Sequence, residues 1–193
     1  SLFMSFKPLR ISTTLEASKP IIQGGMAVGV STASLAAAVA NCGGVGVIAI
    51  SGLPLEKARE EIRKARKLSE GAKGLIAVNI MCAASEFCNL VTVAMEEKVD
   101  LIIFGAGFSR DIFEKACKYD VQVAPIVSSP KLAVISKKMG AQTIIVESGE
   151  AGGHLGTSTP IKELVAQVKE ETDKIPGNIN IVAAGGITCG QDI

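Results

Sequence analysis

The feature that most constrains this chain is a recurring pattern: a short apolar segment, then a loop rich in glycine or small polar residues, then a helical pattern. The apolar segments lie at residues 20–23, 45–48, 75–80, 101–104, 121–126, 143–146 and 179–183. They are apolar at odd and even positions alike, which is typical of parallel strands covered on both faces. The sequence therefore predicts alternating strands and helices.

Residues that favour helix starts stand between these segments. Serine and threonine side chains cap a helix by accepting a backbone N–H, and proline fits the first helical position. The predicted caps are Ser31, Ser85, Ser109, Ser129 and Thr159, with Pro130 and Pro160 at the first helical position. The dense charge of residues 55–68 predicts a helix with a solvated outer face.

Seven consecutive strand–helix units without a sign of reversal favour an α/β fold of the TIM (β/α)₈ barrel type over an open doubly wound sheet. Such barrels run to about 250 residues, whereas this chain has 193. We therefore predict a single domain over residues 1–193 that holds about seven of the eight units and is truncated before strand eight.

Composition argues against several classes of partner. Lys and Arg number 20 against 19 Asp and Glu, and there is no Trp and one Tyr, so nothing indicates nucleic-acid binding. Residues 21–55 carry no charge, but glycines interrupt them, which predicts a buried strand–helix–strand and not a membrane span. Five cysteines without metal-site spacing predict reduced thiols in a cytoplasmic protein and no metal. The N-terminus lacks the pattern of a signal peptide.

The chemistry of a parallel barrel gathers at the carboxyl ends of its strands. The loops expected there are residues 23–26, 78–81, 104–107, 148–156 and 183–187, and four of the five contain glycine pairs or near pairs. Glycine lets the backbone approach a flat ring or a phosphate and exposes N–H donors to it. These loops predict a bound planar or phosphorylated ligand.

Three polar residues stand out on this predicted rim. His154, the one histidine of the chain, lies in a glycine loop, where it either acts as an acid, base or substrate-orienting group or only satisfies the turn. Asn79 and Glu147 each end an apolar strand. Asn79 either satisfies loop backbone or hydrogen-bonds a heterocycle, and Glu147 either is structural or accepts from ligand N–H or hydroxyl groups.

Six segments, in order, resemble one family. They are PIIQGGM (20–26), GGVGVIA (43–49), VNIM (78–81), GAG (105–107), EAGGHLG (150–156) and AAGGI (183–187). The chain resembles the nitronate monooxygenases, formerly called 2-nitropropane dioxygenases, and their relative, the FMN-dependent enoyl-acyl-carrier-protein reductase II.

The resemblance implies an FMN-binding TIM barrel. The cofactor contacts it implies are Gly24, Gly25 and Met26 along the flavin ring, Asn79, Glu147 and Gly152 beside it, and Gly185 and Gly186 at the phosphate. His154 would be the catalytic histidine. Many nitronate monooxygenases carry glutamine where Glu147 stands, whereas the reductase branch typically carries glutamate.

The activity expected from the resemblance is FMN-dependent oxidation of alkyl nitronates with O₂. The alternative is NAD(P)H-dependent reduction of an enoyl thioester, and a third hypothesis is a flavin-binding barrel without turnover. The expected partner is a small-molecule substrate, with no nucleic acid and no membrane. A homodimer is compatible with the sequence, which does not fix the oligomeric state.

Overall fold

The computed structural model describes residues 9–12, 15–18, 22, 32–148 and 159–184. The strands in these ranges are β1 (Leu9–Arg10), β2 (Glu16–Ala17), β3 (Val45–Ala49), β4 (Leu75–Met81), β5 (Leu101–Gly105), β6 (Gln122–Val127), β7 (Thr143–Val146) and β8 (Asn180–Ala183). The helices are α1 (Ala33–Asn41), α2 (Leu55–Leu68), α3 (Phe87–Glu96), α4 (Asp111–Tyr119), α5 (Pro130–Lys138) and α6 (Ile161–Asp173). From α1 onward helices and strands alternate, as predicted.

Strands β3 to β8 form one parallel sheet whose spatial order repeats their order along the chain. A doubly wound sheet reverses its order part-way, so this sequential order is that of a barrel. Ile22 forms a parallel bridge with Val45 and places the first predicted segment beside β3. The bounds of β3 to β8 agree with the predicted segments to within one residue at each end.

The two faces of the sheet bury different sets of side chains. One set, which includes Ile48, Val78 and Ile102, packs against the helices. The other set consists of Val45, Val47, Leu75, Ala77, Leu101, Ile103, Ala124 and Ile145, together with Ile11 and Ala17 from the N-terminal segment. Because successive residues of a strand point to opposite faces, these two layers define an outer and an inner face of the sheet.

The antiparallel pair β1–β2 was not predicted from the sequence. It packs under the inner face, where the carbonyl oxygen of Ile11 accepts a hydrogen bond from Thr143 Oγ1 at 2.7 Å. Asn180 Nδ2 donates to the same oxygen at 3.5 Å. Since Thr143 and Asn180 are the first residues of β7 and β8, the pair closes the amino-terminal end of this face.

Some predicted helix caps are correct and others are wrong. The side chain of Ser129 accepts from Leu132 N–H, with Pro130 at the helix start, as predicted. For α1 the capping side chain is that of Thr32, one residue after the predicted Ser31. Helices α3, α4 and α6 begin after Glu86, Arg110 and Pro160, without a side-chain cap, so Ser85, Ser109 and Thr159 are not caps and Pro160 precedes the first helical residue. In these three places the helix begins one residue later than predicted.

Helix α1 lies unusually close to β3. Its buried face is made of Ala33, Ala36, Ala37 and Ala40, whose small side chains allow the approach. A Cβ added at Gly46 would stand 1.9 Å from the carbonyl oxygen of Ala36. Since non-bonded carbon and oxygen atoms do not come this close, residue 46 must be glycine for the helix to pack here.

Helices α2 and α3 are joined by an ion-pair network centred on Glu97. Arg59 Nη1 and Arg63 Nη2 each lie 2.8 Å from Glu97 Oε1, and the Glu97 side chain is only 12% exposed. Hydrogen bonds from Arg63 and then Arg59 hold the pKa of Glu97 below 4.5, its ordinary value, against the opposing effect of burial. Arg59 also pairs with Glu96 and Glu56.

This network predicts an acid-dependent contribution to stability. A carboxylate whose pKa is lowered by folding stabilises the native state above its unfolded pKa, and the contribution is lost as the pH falls through the folded pKa. Glu97→Gln is therefore expected to lower the free energy of unfolding by about 0.5–1 kcal/mol near neutral pH, and the difference from wild type should shrink below about pH 4. Urea unfolding at several pH values measures it.

The matched control for that experiment is Glu60→Gln. Glu60 is 69% exposed and pairs only loosely with Lys57, at 3.7 Å, one turn away. It should change stability little at any pH. An equal effect of the two substitutions would contradict the role given to Glu97.

None of the helices in the described part of the chain has the length and apolar character that crossing a bilayer requires.

Candidate functional site

The carboxyl ends of β3 to β8 meet at one rim of the sheet, since all six strands are parallel. Of the predicted site residues, Asn79 and Glu147 are described at this rim. The remaining predictions lie outside the described residues; they are Gly24, Gly25, Met26, Gly152, His154, Gly185 and Gly186. The geometry of the site is therefore built from Asn79, Glu147 and their neighbours.

Asn79 lies on the inner face of β4, near its carboxyl end. It alternates with Leu75 and Ala77, which belong to the inner layer, and it pairs with Ala49 on one side and Ile103 on the other. Its carbonyl oxygen accepts from Ile50 N–H at 3.2 Å, so its backbone is satisfied. The half-buried side-chain amide hydrogen-bonds to no other described residue.

Glu147 continues the inner face beyond the end of β7. Its N–H donates to Val127 O at 3.0 Å, while Ala184 N–H donates to Val146 O at 2.8 Å, so the backbone stays within the ladder. Alternation places Glu147 on the same face as Ile145, an inner-layer residue. Its side chain is half-buried. Strands β5 and β6 lie between Asn79 and Glu147, which therefore stand at separate points of the rim.

An apolar stretch of rim lies between these two polar groups. Met81, the last residue of β4, pairs with Gly105 at the end of β5. A Cβ at Gly105 would lie 3.0–3.1 Å from side-chain atoms of Ile126, so the Ile126 side chain covers this position. Met81 itself is 49% exposed. We call Met81, Gly105 and Ile126 the apolar rim.

Two hydrogen bonds fix the end of β4. Met81 N–H donates to Ser51 Oγ at 2.9 Å, which prolongs the ladder where the β3 backbone turns away. Cys82 N–H donates to Gly105 O at 2.8 Å on the opposite side. Sequence reasoning named neither Ser51 nor Met81 as a site residue. The signal available was their position: Ser51 lies two residues after β3, and Met81 is the last residue of β4, the next strand along the chain.

The loop after β5 is conformationally unusual. Ala106 has a φ of 53°, in the left-handed region, and Gly107 has a φ of +129°. A Cβ at Gly107 would lie 3.0 Å from the Cβ of Cys82, so the loop folds back against the end of β4. This is the segment GAG in which the sequence predicts close approach of backbone to a ligand.

Cys82 does not have the character of a nucleophile. Burial raises the pKa of its thiol, which keeps it protonated near neutral pH. The described residues also contain no group of three or more His, Cys, Asp or Glu side chains that could hold a metal ion. The rim between β4 and β7 thus offers an amide, a carboxylate and an apolar stretch.

A family profile described as nitronate monooxygenase matches residues 10–84 and 70–193, which is nearly the whole chain. The chain belongs to the nitronate monooxygenase family. Its α/β TIM-barrel fold is likewise confirmed by solved structures of related proteins.

Three proteins show what this chain is similar to. Nitronate monooxygenase from Pseudomonas aeruginosa is 29% identical over 225 residues, covering 95% of this chain and 63% of that protein. FabK from Thermotoga maritima is 36% identical with a TM-score of 0.75, covering 90% of this chain and 52% of that one. Nitroalkane oxidase from Streptomyces ansochromogenes is 26% identical with a TM-score of 0.72, covering 90% and 60%. The chain thus spans between about half and just under two-thirds of the length of these three proteins.

Proposed function

We propose that this protein is an FMN-dependent oxidoreductase that oxidises alkyl nitronates with O₂. The observation that carries the proposal is the Asn79 amide, which lies on the inner face at the rim without a hydrogen-bond partner among the described residues. Membership of the nitronate monooxygenase family and the likeness to a nitroalkane oxidase support the choice of substrate.

The described residues fit the polar groups of a flavin. The pyrimidine edge of the ring alternates N–H donors and carbonyl acceptors, and a side-chain amide can both donate and accept. The carboxylate of Glu147 accepts from a ring N–H or a ribityl hydroxyl. Both side chains are half-buried, so their hydrogen bonds to a ligand are partly shielded from water. The phosphate is assigned to Gly185 and Gly186, and the ring also to Gly24, Gly25, Met26 and Gly152.

The bound flavin would supply the redox chemistry, taking electrons from the nitronate and passing them to O₂ to yield a carbonyl compound and nitrite. The protein groups bind and orient. Asn79 and Glu147 hold the cofactor at the rim, and His154 orients the anionic nitronate or accepts a proton from the parent nitroalkane. A cytoplasmic location belongs to the same proposal; it is supported by the described cysteines, Cys42, Cys82, Cys88 and Cys117, which are all free thiols.

A second candidate is NAD(P)H-dependent reduction of an enoyl thioester. It is favoured by the carboxylate at position 147, which the resemblance associates with the reductase branch, and by the 36% identity with FabK. The same residues would hold the flavin, and His154 would stand near the thioester carbonyl. Neither candidate activity depends on a homodimer. The molecular mass of the protein in solution tests whether one forms.

Steady-state assays of the full-length, FMN-loaded protein decide between the candidates. Nitronate-dependent oxygen uptake with nitrite release supports nitronate oxidation. Consumption of NAD(P)H with crotonyl thioester, without nitronate-dependent oxygen uptake, would reject it in favour of the reductase. Absence of flavin absorbance after incubation with FMN would remove the basis of both, and flavin binding without either turnover would leave a non-catalytic flavin barrel.

Asn79→Ala is expected to weaken FMN binding by about three- to tenfold, which corresponds to the loss of about one neutral hydrogen bond. Because no described residue depends on the amide, the melting temperature of the cofactor-free protein should change little. Quenching of flavin fluorescence on titration measures the dissociation constant.

The control for this substitution is Asn41→Ala. Asn41 Nδ2 donates to Leu68 O at 3.1 Å on the outer helical layer, far along the chain from the rim residues. The substitution removes an amide of the same size without touching the inner face, so FMN affinity should stay at the wild-type value. Unchanged affinity in Asn79→Ala would show that the amide does not bind the cofactor.

A further inference from the structure

Met81 stands out among the apolar side chains of the rim by its exposure. It is 49% exposed, and the other large hydrophobic side chains exposed in the described part of the chain are Leu35 and Leu68. Those two belong to α1 and α2, which pack on the outer face. Met81 differs because it lies on the inner face, in alternation with Leu75, Ala77 and Asn79.

The backbone of Met81 is held in place on both sides. Its N–H is bound to Ser51 Oγ, and the N–H of the next residue, Cys82, is bound to Gly105 O. The side chain therefore leaves a fixed point, although its own rotatable bonds let it adapt to different shapes. A fixed origin with a flexible apolar end is suited to contacting ligands of variable length.

The neighbours of Met81 on the next two strands are apolar. Gly105, its partner on β5, has no side chain, and the side chain of the half-buried Ile126 on β6 covers the position that a Cβ there would occupy. Polar groups flank the same stretch, with Asn79 two residues earlier on β4 and Glu147 beyond β7. The rim thus offers polar contacts at separate points and an apolar wall between them.

We propose that Met81 is a specificity-determining residue, which contacts an apolar chain of the substrate next to its reacting polar head. This inference rests on the proposed function and narrows it to substrates with an extended hydrocarbon portion. Both candidate substrates allow such a portion, the alkyl group of a nitronate or the acyl chain of an enoyl thioester. Burying each methylene of the chain against the apolar rim favours binding.

The test compares the nitronates of nitroethane, nitrobutane and nitrohexane with the full-length, FMN-loaded protein. In wild type, kcat/KM should rise with chain length, by up to about fourfold for each methylene that is buried. Met81→Ala should lower the ratio of kcat/KM for the longest to the shortest substrate by roughly tenfold. Met81→Leu, which restores an apolar side chain of similar size, should retain most of that ratio.

Leu68→Ala is the matched control, because Leu68 is 50% exposed but lies at the end of α2 on the outer layer. Its chain-length ratio should equal that of wild type. An equal ratio in wild type and Met81→Ala would overturn the inference even if nitronates are good substrates.

A protein that does not oxidise nitronates gives a different result from a protein in which Met81 has no role in specificity. If wild type oxidises no nitronate, the same ratio is measured with enoyl thioesters of increasing chain length and NAD(P)H. If neither reaction occurs, calorimetric titration with the nitronate series decides the role of Met81. Equal chain-length dependence of binding in wild type and Met81→Ala would then overturn it.

Discussion

Replacing His154 with alanine is expected to lower turnover by about 10²–10⁴-fold while the protein still binds FMN. This loss corresponds to about 3–5 kcal/mol of activation free energy at 1.36 kcal/mol per tenfold. The sequence places His154 in the glycine loop seven residues after Glu147, which lies on the inner face at the rim. Flavin binding should survive because the proposed ring contacts, Asn79 and Glu147, are on other residues.

A histidine that only satisfies its loop would behave in the opposite way. Its removal would cost about 1–2 kcal/mol of stability, and activity per bound flavin would be preserved. FMN content, melting temperature and kcat/KM, measured on one preparation, separate the two outcomes. His154→Gln adds a second variant, since it keeps hydrogen bonding but cannot exchange a proton near neutral pH; retained activity there would limit His154 to orienting the substrate.

Gly46→Ala is expected to lower the free energy of unfolding by about 3–5 kcal/mol, at the severe end of single substitutions. The added methyl group would collide with the backbone of Ala36, which cannot move unless α1 shifts as a whole. Such a shift would disturb the buried alanines Ala33 and Ala40 as well. Chemical denaturation of wild type and variant measures the difference.

The control is Gly71→Ala, which separates collision from backbone strain. Gly71 has a φ of +77° with nothing within 4 Å of an added Cβ, so alanine there meets open space. It should cost only about 1–2 kcal/mol, the usual penalty of a left-handed conformation. If Gly46→Ala were no worse than Gly71→Ala, the close packing of α1 on β3 would not be a constraint on residue 46.

The parallel sheet could be predicted from the sequence, whereas the N-terminal pair could not. Strands such as β4 and β5 are apolar at consecutive positions because both of their faces are buried, and that pattern is visible without a structure. Strands β1 and β2 are two residues long, too short for any periodicity. What holds them is contact with β7 and β8, which is remote in sequence.

The candidate site could likewise be predicted only in part from the sequence. Asn79 and Glu147 could be placed at the rim because a polar residue that ends an apolar strand is conspicuous. Met81 could not, because methionine after Ile80 looks like more of the core until its exposure is measured. Ser51 matters through its register with Met81 on the neighbouring strand, and register follows from packing that spacing along one strand does not encode.

The contact between the N-terminal pair and the last described strands has a consequence for protein synthesis. Ile11 is synthesised well before its hydrogen-bond partners, since Thr143 and Asn180 follow it 132 and 169 residues later. Adjacent strands can pair as each unit emerges, since sequential order keeps their contacts local. The N-terminal segment must therefore wait, with its apolar residues unprotected, until most of the sheet exists. During this interval the exposed apolar residues of the segment favour aggregation.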